Sequence, residues 1–358
     1  MKRLNLFGLS VEELKTLFVD AGFERYRGEQ VFYWLYNQGS ESFDEMTNLT
    51  KDLRRKFDEA FVIQHPRIDV EETSLDGTRK FLVTLDDGLR VESVLIPSET
   101  EDEGQPKRVT LCVSTQVGCA LDCKFCATAS MKMRRNLTLG EIVGQYFLIQ
   151  KQLPRRITNL VYMGMGEPML NYDNVMQSIA IITHEKTCGV SSNHITISTA
   201  GVVDGIMRMA DEGRKPKLAI SLHSADDATR SMLMPINKKH NLEALTNAVS
   251  HYYRRTKRRI TYEYILFDGI NDDERAMRKL VKLVRRIPSK VNIIPFHQID
   301  LAVTHMPGVE LKPTPQKRFE RFVESLRSHG ITVMVRSSSG KDIHAACGQL
   351  AVTNPRKK

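Results

Sequence analysis

Cys119-Ala-Leu-Asp-Cys123-Lys-Phe-Cys126 puts three thiols within eight residues, spaced C-x₃-C-x₂-C, with an aromatic ring just before the last. Gaps this short let three thiolates wrap one compact inorganic cluster, and they suit three corners of a four-iron cube. A purely structural cluster of that kind takes four cysteines. Three leave one iron open to a small-molecule ligand. The competing reading is zinc, which wants four tetrahedral donors, usually as two C-x₂-C pairs. The chain holds no second pair.

From Arg108 onward, strand patterns alternate with helical ones. Strands are expected at Arg108–Thr115, Asn159–Met163, His194–Ser198, Lys217–Leu222, Ile260–Leu266, Val291–Pro295 and Thr332–Arg336. Thr138 and Glu141 form a capping box that opens the first intervening helix. Repeated βα units imply a parallel sheet with helices outside, and six of them suit a partial barrel. The fold class is therefore α/β. In barrels of this type, chemistry gathers at the carboxyl ends of the strands. The three cysteines follow the first strand, and Gly164-Met165-Gly166-Glu167-Pro168 follows the second. Its glycines permit close backbone approach to a ligand, and Glu167 can accept a hydrogen bond from an ammonium group. It is not a phosphate loop, because the Gly-rich fingerprints of nucleotide folds are absent.

Upstream, residues 1–65 read as a small helical accessory domain. Ser10 and Glu13 form a capping box ahead of Leu14, Leu17 and Phe18; further helices are expected at Tyr26–Tyr36 and Thr50–Phe61. In the last of these, Arg54, Arg55 and Lys56 point away from Leu53 and Phe57 and make a basic side. Residues 66–106 read as a β-hairpin linker: Arg79–Leu85 and Leu89–Ile96 flank the turn signal Asp86-Asp87-Gly88. Strand alternation alone makes Glu92 an exposed residue. The barrel then occupies 107–336, and 337–358 form a tail.

The formal charge of +9 is compatible with a polyanionic partner. No apolar run approaches the roughly 18 residues of a membrane span. The N-terminus lacks a secretion signal, so the expected location is the cytoplasm, with no membrane partner. Six cysteines in 358 residues make no disulfide scaffold. Cys188 reads as a small buried hydrophobe.

At these residues the chain resembles the radical S-adenosylmethionine (SAM) enzymes. Cys112 to Asn136, Gly164 to Pro168 and Asp342-Ile343-His344-Ala345-Ala346-Cys347-Gly348-Gln349-Leu350 resemble one branch, the RlmN-type adenine-carbon-2 methyltransferases. The resemblance runs from about Arg90 to Leu350. It implies a partial (β/α)₆ barrel and a [4Fe-4S] cluster on Cys119, Cys123 and Cys126. It also implies two SAM molecules per turnover, with Gly166, Glu167, Ser198, Ser221, Leu222, His223 and Asn292 at the positions that contact SAM. The implied partners are 23S rRNA and tRNA, with a flavodoxin-type electron donor; the enzyme is expected to be a monomer.

Carbon 2 of adenine lies between two ring nitrogens and is electron-poor, so it will not attack the methyl group of SAM directly. The resemblance implies a detour in which Cys347 first takes a methyl by displacement. A radical generated from a second SAM then activates that methyl for addition to the ring. Glu92, within Val91-Glu92-Ser93-Val94, is implied as the carboxylate that accepts the ring proton. Cys112 is implied to release the product through a transient disulfide with Cys347. Lys132, Arg134 and Arg135 are the expected phosphate contacts. The run Arg254, Arg255, Lys257, Arg258 and Arg259 is denser but precedes a strand.

Two departures from the pattern stand out: Cys126-Ala-Thr-Ala129 lacks a glycine, and Pro295-Phe296-His297-Gln298 replaces Pro-Phe/Trp-Asn-Pro. The alternatives are a Cfr-like adenine-carbon-8 rRNA methyltransferase and, from another class, a non-catalytic zinc-stapled RNA-binding protein.

Overall fold

The computed structural model describes residues 3–98, 101–102, 105–187, 189–297, 310–336, 339–346 and 348–352. Its frame is a ten-stranded sheet whose spatial order equals its chain order. The strands are β1 (Arg67–Thr73), β2 (Arg79–Thr84), β3 (Arg90–Pro97), β4 (Val109–Cys112), β5 (Asn159–Tyr162), β6 (Ile195–Thr199), β7 (Lys217–Ser221), β8 (Ile260–Leu266), β9 (Ser289–Pro295) and β10 (Val333–Val335). From β4 to β10 all pairings are parallel; β1 to β3 add an antiparallel edge through the pairing of β3 with β4. Strand β8 is buried at every residue but Thr261, because helices cover the sheet from outside and side chains fill the interior. The two ends of the sheet are β1 and β10, so the barrel is partial.

Helices intervene where the polar/apolar period changes. After the short helix α4 (Ala127–Ser130), helix α5 (Leu139–Lys151) starts at the expected Thr138–Glu141 capping box. Such a cap contributes about 1 kcal/mol. Helices α6 (Tyr172–Ile182), α7 (Val203–Asp211), α8 (Asp227–Leu233), α9 (Leu242–Thr256), α10 (Glu274–Val284) and α11 (Gln316–Ser328) follow. At the N-terminus, α1 (Val11–Asp20) and α3 (Lys51–Ala60) start at Ser10 and Thr50 as read, with the Ser10–Glu13 box formed. Helix α2 (Arg25–Tyr33) ends early and continues as a π-turn over Trp34–Gln38. Phe18, Phe23, Phe57 and Phe61 pack these helices together, and Tyr36 seats them on Phe147 of α5 at 5.1 Å between rings.

Three differences from the sequence reading have physical causes. Strand β1 was not expected; Arg-Ile-Asp-Val-Glu-Glu-Thr carries only two aliphatic residues and is half-exposed along its length. Strand β4 stops at Cys112 rather than Thr115, because Thr115 and Gln116 both donate their N–H to Met165 O and turn the chain toward the next loop. The basic side of α3 is neutralised locally: Arg55 and Lys56 pair with Asp52, and Arg54 binds the carbonyls of Leu49 and Asp44. No helix of the described residues is long and apolar enough to cross a membrane.

Candidate active site

The cysteine loop is closed off by a short antiparallel ladder, Gln116–Val117 against Arg135–Asn136. At its neck Gly118 has φ +77°, and a Cβ there would lie 1.8 Å from the Lys132 carbonyl oxygen. Only glycine fits. The loop therefore leaves the end of β4 and returns as a unit, bringing Cys119, Cys123 and Cys126 onto the wall of one cavity of about 460 Å³ at the carboxyl ends of the strands. Among the described residues, no three His, Cys, Asp or Glu side chains converge tightly enough for a single metal ion.

The second loop lines the same cavity. Gly166 has φ +96°, and an added Cβ would lie 2.5 Å from Gln116 Cβ. Gln116 Oε1 in turn accepts the Glu167 N–H at 2.8 Å. The Glu167 carboxylate accepts N–H groups from Met169 (3.1 Å) and Ala200 (2.8 Å), and burial raises its proton affinity. Gly166, Glu167, Ser198 and Ser221 all line the cavity. His223 lines it too, in the left-handed backbone region at φ +52°. Its Nδ1 accepts Ile265 N–H at 3.1 Å, leaving Nε2 to carry the proton, and burial pulls its pKa down to about 3. Phe125, between two of the cysteines, meets the His223 ring edge-on at 4.7 Å.

Two of the expected contacts are placed differently. The Leu222 side chain belongs to the main hydrophobic core and does not line the cavity. Asn292 stands behind Glu263, donating to its Oε1 at 2.9 Å, and its own Oδ1 is buried with no partner among the described residues. Glu263 itself lines the cavity; it is buried, held protonation-prone by desolvation, with Arg336 3.9 Å from Oε2. The register explains the grouping, since Ser221, Glu263 and Asn292 are direct neighbours across β7, β8 and β9.

Cys112 ends β4, is buried, and lines the same cavity. Cys347, like Cys188 and the basic tail end, lies outside the described residues. Its chain neighbours Ala346 and Gly348 line the cavity with the three thiols, and Gly348 O accepts Ala127 N–H at 2.7 Å, just after Cys126. The tail is anchored on its other side by the β1–β2 turn. Ser74 Oγ donates to Asp342 (2.5 Å), Gly340 N–H to Asp76 (2.9 Å) and Lys80 Nζ to Ile343 O (2.6 Å).

Glu92 overturns the exposed reading: it is 3% accessible. It shares the face of β3 that presents Val94 and Ile96 to the cavity, yet does not line the cavity itself. Lys80 Nζ lies 3.7 Å from its Oε1. Arg135 is likewise corrected as a phosphate contact. Its guanidinium is taken up by Glu141 in a bidentate pair (2.8 Å) and by Asp87 (2.7 Å). Lys132 and Arg134 remain exposed beside the cysteine loop. Residues 254–259 sit at the amino end of β8, away from the cavity, where Arg259 binds Ser289 O and Thr332.

Sequence reasoning missed Arg230, Lys80 and Glu263. The signal at Arg230 was a lone cation three positions before Leu233, on the apolar side of a short helix.

A thiol loop at the end of the first parallel strand, with a carboxylate-bearing glycine loop after the second, defines the radical SAM class. Residues 113–281 match the model of the radical SAM superfamily, and residues 4–63 match that of the ribosomal RNA large subunit methyltransferase N-terminal domain. The chain is 43% identical to the dual-specificity RNA methyltransferase RlmN of Alkalilimnicola ehrlichii, over 97% of this chain and 93% of that one. It is also 43% identical to that of Geobacter sulfurreducens, over 97% and 92%. A crystal structure of a radical SAM methyltransferase from Sphaerobacter thermophilus superposes with a TM-score of 0.88, at 38% identity, covering 97% of this chain and 99% of that one. The chain belongs to the RlmN family of radical SAM RNA methyltransferases.

Membership implies a [4Fe-4S] cluster and SAM, and the zinc-stapled alternative falls away. The residues fit both groups. Burial pushes the Cys119 thiol up to about 12 and Cys123 well above the ordinary thiol range, so a cationic partner is needed to hold them as thiolates. The cavity beside them is large enough for a cofactor and offers buried acceptors in Glu167 and Glu263.

Proposed function

We propose that this enzyme methylates carbon 2 of adenine in 23S rRNA and in tRNA, through a methyl carried on Cys347. The observation that carries this reading is the meeting of the tail, Cys112 and the three thiols around one cavity: Ala346 and Gly348, the chain neighbours of Cys347, line it together with them.

In this reading Cys119, Cys123 and Cys126 hold the cluster. Glu167 accepts the SAM ammonium, with Gly166 giving backbone clearance, while Ser198, Ser221 and His223 position the rest of the molecule from the cavity wall and Asn292 acts through Glu263, to which it donates. When bound, the cluster and SAM together supply a carbon radical able to abstract hydrogen from an unactivated methyl. The Cys347 thiolate acts earlier as nucleophile: its sulfur bonds to the methyl of a first SAM as the methyl–sulfonium bond breaks. Glu92, poised with a raised proton affinity, accepts the proton leaving adenine carbon 2. The Cys112 thiolate then bonds to the Cys347 sulfur as the bond from that sulfur to the transferred carbon breaks. The released carbon takes up a proton to become the methyl of the base, and the odd electron of the adduct would pass to the cluster. An external thiol reductant reopens the disulfide. Leu121, Phe125 and Met234 keep water from this end of the cavity.

Outside the cavity, exposed Lys132 and Arg134 flank the cysteine loop and suit phosphate contacts, which position RNA without reading its sequence. The enzyme works in the cytoplasm with a flavodoxin-type electron donor. The test is anaerobic incubation with reductant, SAM and unmodified RNA, followed by mass spectrometry of the nucleosides. 2-Methyladenosine is the expected product. 8-Methyladenosine overturns the site of methylation, and unmodified adenosine overturns the function.

A further inference from the structure

We propose that Arg230 is a fixed buried cation that makes the cluster easier to reduce. The inference rests on the reading that Cys119, Cys123 and Cys126 hold that cluster.

Arg230, on α8, is fully buried. Its guanidinium donates to Leu222 O (3.1 Å), Ser221 O (3.2 Å), Ala200 O (2.7 Å) and Asn237 Oδ1 (2.7 Å). All four acceptors are neutral; Asp227 acts on Arg230 electrostatically but forms no ion pair with it, its Oδ1 accepting from Asn237 Nδ2 and Leu242 N–H instead. Burial draws its pKa down to about 10, which still leaves it charged at neutral pH. A desolvated cation without a counter-charge is costly, and folds retain one where an anion completes the pair.

The anion that completes the pair belongs to the cysteine loop. Arg230 binds the carbonyls of Ala200 and Ser221, two residues that line the cavity together with Cys119, Cys123 and Cys126. Helix α8 is also tied to the loop directly, through Lys124 N–H to Leu233 O at 2.9 Å. Leu233 and Met234 pack with Leu121 and Phe125, and all three candidate ligands pack against that same group. The guanidinium is thus held by four acceptors, out of solvent, on the helix whose end packs against the loop. When a one-electron donor reduces the cluster, its net charge becomes more negative by one and no bond to the protein changes. A fixed cation across low-dielectric packing favours the more negative state. Net charge and hydrogen bonding near the sulfurs are among the factors that set such potentials.

The carbonyls it binds give Arg230 a second, structural role at the ends of β6 and β7, so the test must separate charge from tethering. Wild type, Arg230→Met and Arg230→Lys are reconstituted anaerobically without SAM, assayed for iron, and titrated with dithionite under electron paramagnetic resonance. Loss of the cation in Arg230→Met is expected to shift the midpoint to more negative potential, while Arg230→Lys stays near wild type. If Arg230→Met yields too little holoprotein, Arg230→Gln keeps amide donors for the carbonyls but no charge, and the same shift is expected. A neutral variant with full iron and an unchanged midpoint overturns the proposal, as does an equal shift in Arg230→Lys. Wild-type protein that takes up no iron overturns the underlying reading instead.

Discussion

Lys80 Nζ lies 3.7 Å from Glu92 Oε1 and 2.6 Å from Ile343 O, so one buried ammonium joins the candidate base to the tail that carries Cys347. Burial raises the proton affinity of Glu92 and Lys80 opposes that rise. A base must be ionised, so the rate falls as pH drops through its pKa. Lys80→Met removes the opposing charge and sends the acid limb of the pH–rate profile to higher pH. It also costs the tail a charged hydrogen bond, a loss of about 1.5–3 kcal/mol. Single-turnover rates across pH test both effects. An acid limb that does not move would remove Glu92 from the role of base.

Cys347→Ala is expected to retain the cluster's visible absorbance and to yield no methylated RNA. Full activity in that variant would end the covalent-carrier reading. Cys112→Ala is expected to stall one step later, with RNA attached to protein on a denaturing gel. Only free RNA in that lane would exclude Cys112 from product release.

Gly166→Ala sets a Cβ 2.5 Å from Gln116 Cβ, at a φ of +96° that side chains avoid. The strain of about 1–3 kcal/mol falls on the loop that presents Glu167. Calorimetric titration with SAM should show affinity reduced about tenfold or more, each tenfold corresponding to about 1.4 kcal/mol. Unchanged affinity would place the cofactor elsewhere.

His223 remains neutral down to about pH 3 because it is buried, against an ordinary value of 6.5. Its folded form thus binds fewer protons than its unfolded form between those values. Stability is complete above pH 6.5 and declines as pH falls toward 3, by up to about 1.4 kcal/mol per unit. In the cluster-free protein, His223→Gln should flatten that decline in urea titrations. A slope identical to wild type would show that other groups govern acid unfolding.

Much of the frame was legible in local pattern. Capping boxes at Ser10 and Thr138, the Asp86-Asp87-Gly88 turn and the alternation of apolar runs each act over a few residues, so spacing alone reveals them. The cysteine spacing and the glycine loop were legible for the same reason. Strand β1 was not, because its stability comes from pairing with β2 rather than from its own composition. Glu92 was misread as exposed because alternation tells which side of a strand a residue takes, not what later covers that side. Here Lys80 lies against it, and the tail anchored on Lys80 runs alongside.

From its order of residues alone, this chain determined a sequential βα frame, a three-thiol loop after its first parallel strand and a glycine loop after the second. These follow from short-range backbone preference and spacing. Only the tertiary structure decided that Arg135 is bound by Glu141 and Asp87, that Asn292 stands behind Glu263, and that Arg230 is buried on the carbonyls of Ala200 and Ser221. Burial and charge compensation arise between segments far apart in the chain, so no local pattern encodes them.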